Sequence, residues 1–387
     1  MVYLDNAATT FPKPLSVLRA QNAGMTQYGG NPGRGGHSFS MRAGEQVYNV
    51  RKKAAAFFHT EPDCVIFTNN CTTALNMAIK GFLKPDSHVI ISCLDHNAIY
   101  RPLWRLKEAG LADFDIAPVY EEEPERTLRA FARLIRPNTC MIVCTHASNV
   151  SGHVLPVQAI GALCKRNGIT FVVDAAQSAG ILPIELDTLH ADAICVPGHK
   201  GLYGPSGTGM LLLSSESPLP QTILEGGTGS VSAQPEQPDF LPDRLESGTL
   251  NTSGILALGA GLDFVQKNRN AIIRQEDMLC SMAEDALHAM PGVTVCPHGK
   301  DHVPLFSFSV EGMHSEETAA YLNEHGFALR GGLHCAPLAH QHYHTEEQGL
   351  VRFAPSYFTT QQECRQFVSC MRNLRQHRTN ATIRIIQ

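Results

Sequence analysis

Between residues 64 and 215, short apolar and β-branched runs alternate with stretches whose apolar positions recur every three or four residues. Cys64-Val-Ile-Phe-Thr68, His88-Val-Ile-Ile-Ser92, Met141-Ile-Val-Cys-Thr145, Ile169-Thr-Phe-Val-Val173 and Ala193-Ile-Cys-Val196 read as strands. Thr72–Leu83, Ile99–Ala109 and Val157–Asn167 have the spacing of helices that pack one face on a sheet. The alternation predicts an α/β fold with a largely parallel central sheet. Ligands of such sheets collect outside the carboxyl ends of the strands, where Thr72, His96, Asn149, Asp174 and Lys200 all fall.

The pattern stops at Glu225–Arg244, a Gly/Pro/Ser-rich stretch too long for an ordinary connection. Beyond it, Ser253–Lys267 and Ala271–His288 read as two helices, followed by a strand over Val303–Val310, a helix near Glu316–His325 and a last helix from Thr360. A length of 387 residues suits two domains. The expected division is a large domain over 14–261 and a smaller α/β domain formed by 1–13 with 262–387.

Apolar content of 43% and charged content of 17% are those of an ordinary globular protein, and a net charge of -5 gives no bulk reason to expect nucleic acid as a partner. The N-terminus lacks a basic region followed by an apolar core, and no run approaches bilayer-spanning length, so no membrane association is expected. Twelve cysteines are scattered without a C-x-x-C pair, which suits buried thiols in a reducing cytoplasm.

Candidate chemistry concentrates in Phe171–Lys200. Lys200 lies in Gly198-His-Lys-Gly201, where glycines let backbone approach a bulky group. Asp174 ends an apolar strand and needs a partner for a buried carboxylate. An acid and a lysine at the ends of neighbouring strands suit pyridoxal 5'-phosphate, the lysine bonding to the aldehyde, the acid keeping the ring nitrogen protonated and Gln177 bonding the ring oxygen. A loop lysine and a helix-capping aspartate are the plain alternatives for each residue alone. Asn69-Asn-Cys-Thr72-Thr73 leads from strand to helix and offers a phosphate site, and His96 can stack on a ring or relay protons. Gly204-Pro-Ser-Gly-Thr-Gly209 lacks the ending of a nucleotide-binding loop, His340-Gln-His342-Tyr-His344 reads as a polar loop with no metal expected, and Arg372, Arg375 and Arg378 as a solvated helix face.

Taken together, these motifs resemble the class V aminotransferase family of fold-type-I pyridoxal-phosphate enzymes, and within it the cysteine desulfurase and selenocysteine lyase branch. The resemblance runs almost end to end: Tyr3-Leu-Asp-Asn-Ala-Ala-Thr-Thr10, Arg34-Gly-Gly-His37, Thr145-His-Ala-Ser-Asn-Val-Ser-Gly152, Asp174-Ala-Ala-Gln177, Gly198-His-Lys200, Glu246-Ser-Gly-Thr249-Leu-Asn251, Arg330-Gly-Gly-Leu-His-Cys335 and Val351-Arg-Phe353. It implies that Lys200 is the Schiff-base lysine, Asp174 the ring-nitrogen partner, Gln177 the ring-oxygen donor and His96 the stacked residue. It further implies that Thr72 and His199 hold the phosphate, that Thr249 reaches the phosphate of the other subunit of a homodimer, and that Asn149 lies beside cofactor and substrate. Arg352 is implied to grip the substrate carboxylate, with Arg330 and Arg34 as further substrate contacts.

Cys335 selects the branch, because desulfurases need a nucleophilic thiol and plain aminotransferases do not; its loop resembles the shorter, Suf-type form. The implied activity converts L-cysteine to L-alanine with a persulfide on Cys335, to be passed to a sulfur-acceptor protein. Selenocysteine lyase on L-selenocysteine, transamination or another β-elimination, and a catalytically silent assembly partner stay open. Three positions depart from the family pattern. Pro197 and Cys71 stand where relatives often carry phosphate-binding hydroxyl or small residues, which shifts phosphate contacts toward Thr73, and Leu333 replaces a histidine of the Suf-type loop.

Overall fold

A computed structural model describes residues 1–33 and 35–386, with side chains described through residue 374 apart from Arg34. The chain opens with a short strand β1 (Val2–Tyr3) and helices α1 (Leu15–Thr26) and α2 (Ser38–Phe58). Strands β2 (Val65–Thr68), β3 (Ser87–Ser92), β4 (Ala112–Ala117), β5 (Thr139–Thr145), β6 (Thr170–Asp174), β7 (Ala193–Pro197) and β8 (Gly209–Leu213) follow. Between them run α3 (Cys71–Phe82), α4 (Asn97–Glu108), α5 (Pro124–Arg133), α6 (Val157–Asn167) and α7 (Leu186–Leu189). The remainder comprises α8 (Thr252–His288), β9 (Val293–Val295), β10 (Phe306–Val310), α9 (Ser315–Glu324), β11 (Phe327–Ala328), α10 (Pro337–Tyr343), β12 (Val351–Phe353) and α11 (Gln361–Ile386).

Seven strands form one sheet in the order β2-β8-β7-β6-β5-β3-β4, and only β8 runs against its neighbours. The predicted α/β fold with a largely parallel sheet is therefore the one observed. Its central strands are continuous apolar runs because both faces are covered. Ile142, Phe171, Val173 and Ile194 enter one buried cluster, and Met141, Val143, Val172 and Ala193 the other. A second sheet, β12-β10-β9, and the parallel pair β1-β11 share a further core in which Leu4 meets Phe306, Phe308, Phe353 and Phe367.

Two expectations need correction. Ser253–Lys267 and Ala271–His288 are not separate helices but one helix of 37 residues, α8. The polar triplet Asn268-Arg269-Asn270 does not break it, because the Asn268 amide donates to the Phe264 carbonyl at 2.8 Å and Arg269 donates to the Ile181 carbonyl at 3.3 Å. The histidines near 340 are not in a loop: His340 and His342 lie in α10, and His342 pairs with Glu121 at 2.9 Å. Residues 225–244 are irregular, as expected, and the long α8 emerges from the segment that follows them.

Candidate active site

Lys200 and Asp174 sit just beyond and at the carboxyl ends of the adjacent parallel strands β7 and β6. Asp174 is 2% exposed; its Oδ1 accepts from the Ala176 N–H at 2.9 Å and the Cys71 thiol at 3.4 Å. Burial pushes its carboxyl up, against the Ala176 hydrogen bond and the nearby Lys200. Burial and then Arg352 push the Lys200 amine down, opposed by Asp174, Cys71 and Asp5. Cys71, a departure from the family pattern, thus faces Asp174.

The turn before Lys200 is gripped by the start of the chain. The His199 carbonyl accepts from Thr9 Oγ1 at 3.1 Å, Thr10 Oγ1 at 3.1 Å, the Thr10 N–H at 3.0 Å and Lys13 Nζ at 2.8 Å. Burial lowers Lys13 to about 8. The His199 ring is lowered to about 4 by burial and by Lys200 and Lys13, and its Nδ1 is buried without a protein partner. Gln177 donates to the Ala7 carbonyl at 3.2 Å.

His96 caps α4: its Nδ1 accepts the Ala98 N–H at 3.0 Å, so the neutral ring carries its proton on Nε2. Burial, Lys200, Arg352 and Arg330 lower it to about 4. The first N–H of the same helix, that of Asn97, donates to the Cys335 carbonyl at 2.8 Å. Asn149 Nδ2 donates to the His334 carbonyl at 2.7 Å. The cysteine loop is therefore fixed from two strand ends, and His334 and Cys335 take left-handed backbone at φ +49° and +58°. Cys335 is half-buried, with Arg330 Nη2 3.5 Å from its sulfur.

Arg352, on β12, is 2% exposed. Its Nη2 donates to Asp5 Oδ1 at 2.8 Å and its Nη1 to the Asn149 carbonyl at 3.0 Å. Sequence reading missed Asp5 and Lys13 as parts of this constellation. Both lie in the opening segment, where Asp5 counted only as a mark of resemblance.

The structure thus gathers Lys200, Asp174, His96, Asn149, Arg352, Arg330 and Cys335 around one end of the main sheet. It does not place Thr249 there. Thr249 lines a hollow of about 420 Å³ with Asn31, Tyr48 and Gly229, and takes a 3.4 Å hydrogen bond from Asn31. Its segment is anchored by Glu246, which accepts from Arg51 at 2.9 and 2.7 Å. Thr72 is exposed at the start of α3, and Thr73 there donates both its N–H and its hydroxyl to Asn70. Arg34 lies outside the described residues.

A depressed, half-buried lysine, a buried acid without a cationic ion-pair partner among the described residues and the orphaned His199 Nδ1 fit an aromatic aldehyde whose ring nitrogen is protonated. Fold and site together define a fold-type-I α/β chain built for pyridoxal phosphate. Residues 2–367 match the family of class V aminotransferases, and the chain belongs to that family, whose members are pyridoxal-phosphate-dependent. A probable cysteine desulfurase of Methanothermobacter thermautotrophicus is 34% identical over 94% of this chain and 92% of its own length. The apo structure of a cysteine desulfurase from Thermococcus onnurineus superimposes with a TM-score of 0.87 at 28% identity, covering 96% and 94% of the two chains. The cysteine desulfurase CsdA of Escherichia coli gives 0.83 at 25% identity over 96% and 94%.

Proposed function

We propose that this chain is a pyridoxal-phosphate-dependent cysteine desulfurase that moves the sulfur of L-cysteine onto Cys335 and releases L-alanine. The observation that carries the reading is Cys335 itself: a half-buried thiol on a fixed left-handed turn, beside Arg330 and bonded through its carbonyl to the start of the helix that His96 caps. Lys200, Asp174, Gln177 and His96 would hold the cofactor, with His199, Thr72 and Thr73 toward its phosphate and Thr249 supplied across a homodimer. When bound, the cofactor supplies an electron sink for the pair left at the substrate Cα.

Arg352 grips the α-carboxylate with its planar fork, and Asn149 fixes both that guanidinium and the cysteine loop. The Lys200 amine, depressed by burial, takes the Cα proton and later returns one. Arg330 Nη2 lies 3.5 Å from the Cys335 sulfur, which attacks the substrate sulfur as thiolate. The S–S bond forms as the Cβ–S bond breaks, the electron pair stays with Cβ, and protonation yields the methyl of alanine. His96, neutral with a proton on Nε2, donates and recovers a proton in this sequence. Arg34 is a further substrate contact on this reading.

Among the described residues no helix is long and apolar enough to cross a membrane. All twelve cysteines are unpaired, which suits a reducing cytoplasm. The persulfide then passes to an acceptor protein. The test is alanine and sulfide release from L-cysteine by the yellow holoenzyme, wild type against Cys335→Ala. Alanine formation is expected to fall by about a hundredfold or more. Undiminished turnover would overturn the persulfide route, and a protein that takes up no cofactor with Lys200 intact would overturn the whole reading.

A further inference from the structure

Asp5 belongs to the Tyr3–Thr10 motif, yet the reaction above gives it no task. Its carboxylate nevertheless contacts the residue proposed to hold the substrate's own carboxylate. Arg352 is 2% exposed, and a guanidinium so deeply placed keeps a fixed orientation only if its N–H groups are held. Two holders are present: Asp5 Oδ1 on Nη2 at 2.8 Å and the Asn149 carbonyl on Nη1 at 3.0 Å. The Nε is sealed and has no partner. Each terminal nitrogen keeps a second N–H, so the guanidinium still has a donor on each for a bidentate carboxylate.

Asp5 is itself held rigidly. The Leu4 N–H donates to the Ala328 carbonyl at 2.9 Å, Ala354 N–H to Leu4 at 2.9 Å and Asn6 N–H to Ala354 at 3.1 Å, while Tyr3 Oη donates to the Asp5 carbonyl at 3.2 Å. The chain thus pairs with the backbone two residues from Arg352 and presents the Asp5 side chain, only 19% exposed, to its guanidinium. Asp5 also offsets part of the cost of burying that cation.

We infer that Asp5 is the positioning residue that aims Arg352 at the substrate carboxylate, so that selection for α-amino acids over plain amines depends on it. The inference rests on the assignment of Arg352 to the substrate carboxylate. It separates from any general structural role because the effect is confined to ligands that carry a carboxylate.

The experiment measures equilibrium binding of L-alanine and of ethylamine to the holoenzyme by the change in cofactor absorbance; the two ligands differ only in the carboxylate. Arg352→Ala is expected to abolish the preference for L-alanine. Asp5→Ala is expected to reduce that preference about tenfold, the loss of one charge-assisted hydrogen bond, with ethylamine affinity within about twofold of wild type. Asp5→Asn, which keeps an oxygen on Nη2, is expected to restore the preference to within about threefold of wild type. Equal losses for both ligands in Asp5→Ala, or a raised preference that would make Asp5 a competitor of the substrate, would overturn the inference and leave Arg352's assignment standing. An Arg352→Ala protein that still prefers L-alanine would overturn both.

Discussion

His334 and Cys335 hold consecutive left-handed conformations that residues with a Cβ adopt at a cost of about 1–2 kcal/mol each. The cost is met by bonds to both carbonyls, from Asn149 and from the first N–H of α4, and by the buried His334 ring, whose Nε2 donates to the Leu350 carbonyl at 2.9 Å. The turn leaves Cys335 half-buried and not sealed in the core, as an exchange of sulfur with a second molecule requires. Glycine has no such penalty at Cys335, although it loses about 0.5–1 kcal/mol in chain entropy elsewhere on this scale. Cys335→Gly is therefore expected to be more stable than Cys335→Ala by about 0.5–1 kcal/mol, with both inactive in desulfuration. Urea unfolding of the two apoproteins decides it: an alanine variant as stable as the glycine one, or more so, would mean that the strain does not exceed the entropy glycine loses.

At the level of elements, the Lys200 turn depends on α8 packing against it without side chains in between. A Cβ on Gly261 would stand 2.3 Å from the Leu202 carbonyl and 3.0 Å from the Gly204 nitrogen. Alanine gains about 1 kcal/mol in helix propensity, but the atoms it meets are backbone and cannot rotate away, so overpacking of about 1–3 kcal/mol wins. Gly261→Ala is expected to lower the melting temperature and speed cofactor loss; an unchanged melt and dissociation rate would show that the helix and turn yield easily. The elements around this contact differ in how readable they were. Strands β3, β5, β6 and β7 were legible because burial on both faces makes them continuous apolar runs. The edge strand β4 was not, since Asp113 and Asp115 interrupt its apolar pattern and are matched by Lys107 and Arg136 only in three dimensions. The 37-residue α8 was read as two helices because the Asn268 and Arg269 bonds that carry it through a polar triplet are invisible to periodicity.

For the molecule as a whole, the site joins residues 347 positions apart, Asp5 and Arg352, and 185 apart, Asn149 and His334. No local spacing announces such pairs; Lys200, Asp174 and Cys335 were legible through their strand ends and motifs, and their supports were not. The same compact assembly buries titratable groups that set its stability. His96, His146 and His199 are lowered to about 4 from 6.5, chiefly by burial, so between those values the unfolded chain takes up protons the fold refuses and stability falls as pH drops. Asp95 and Glu276 act in reverse: burial raises them to about 7 and about 8 from 3.8 and 4.5, so the fold keeps protons the unfolded chain has lost, and stability falls as pH rises through that window. His342, raised to about 10 by hydrogen bonds to Cys93 and Glu121, adds a decline above 6.5. Below 6.5 the three imidazoles, joined by His88, His153, His334 and His340, also lowered by burial, outnumber the raised carboxyls Asp95, Glu276, Asp174, Glu246 and Asp277. From 6.5 to 8 the depressed imidazoles no longer titrate, while Asp95, Glu276 and His342 all pull downward; Lys13, lowered to about 8, opposes them only above that pH. Apoprotein stability is therefore expected to peak near pH 6.5, and urea midpoints measured from pH 5 to 8 at constant ionic strength check it. A midpoint still climbing between pH 6.5 and 8 would mean that Asp95 and Glu276 are ionised in the fold at neutral pH.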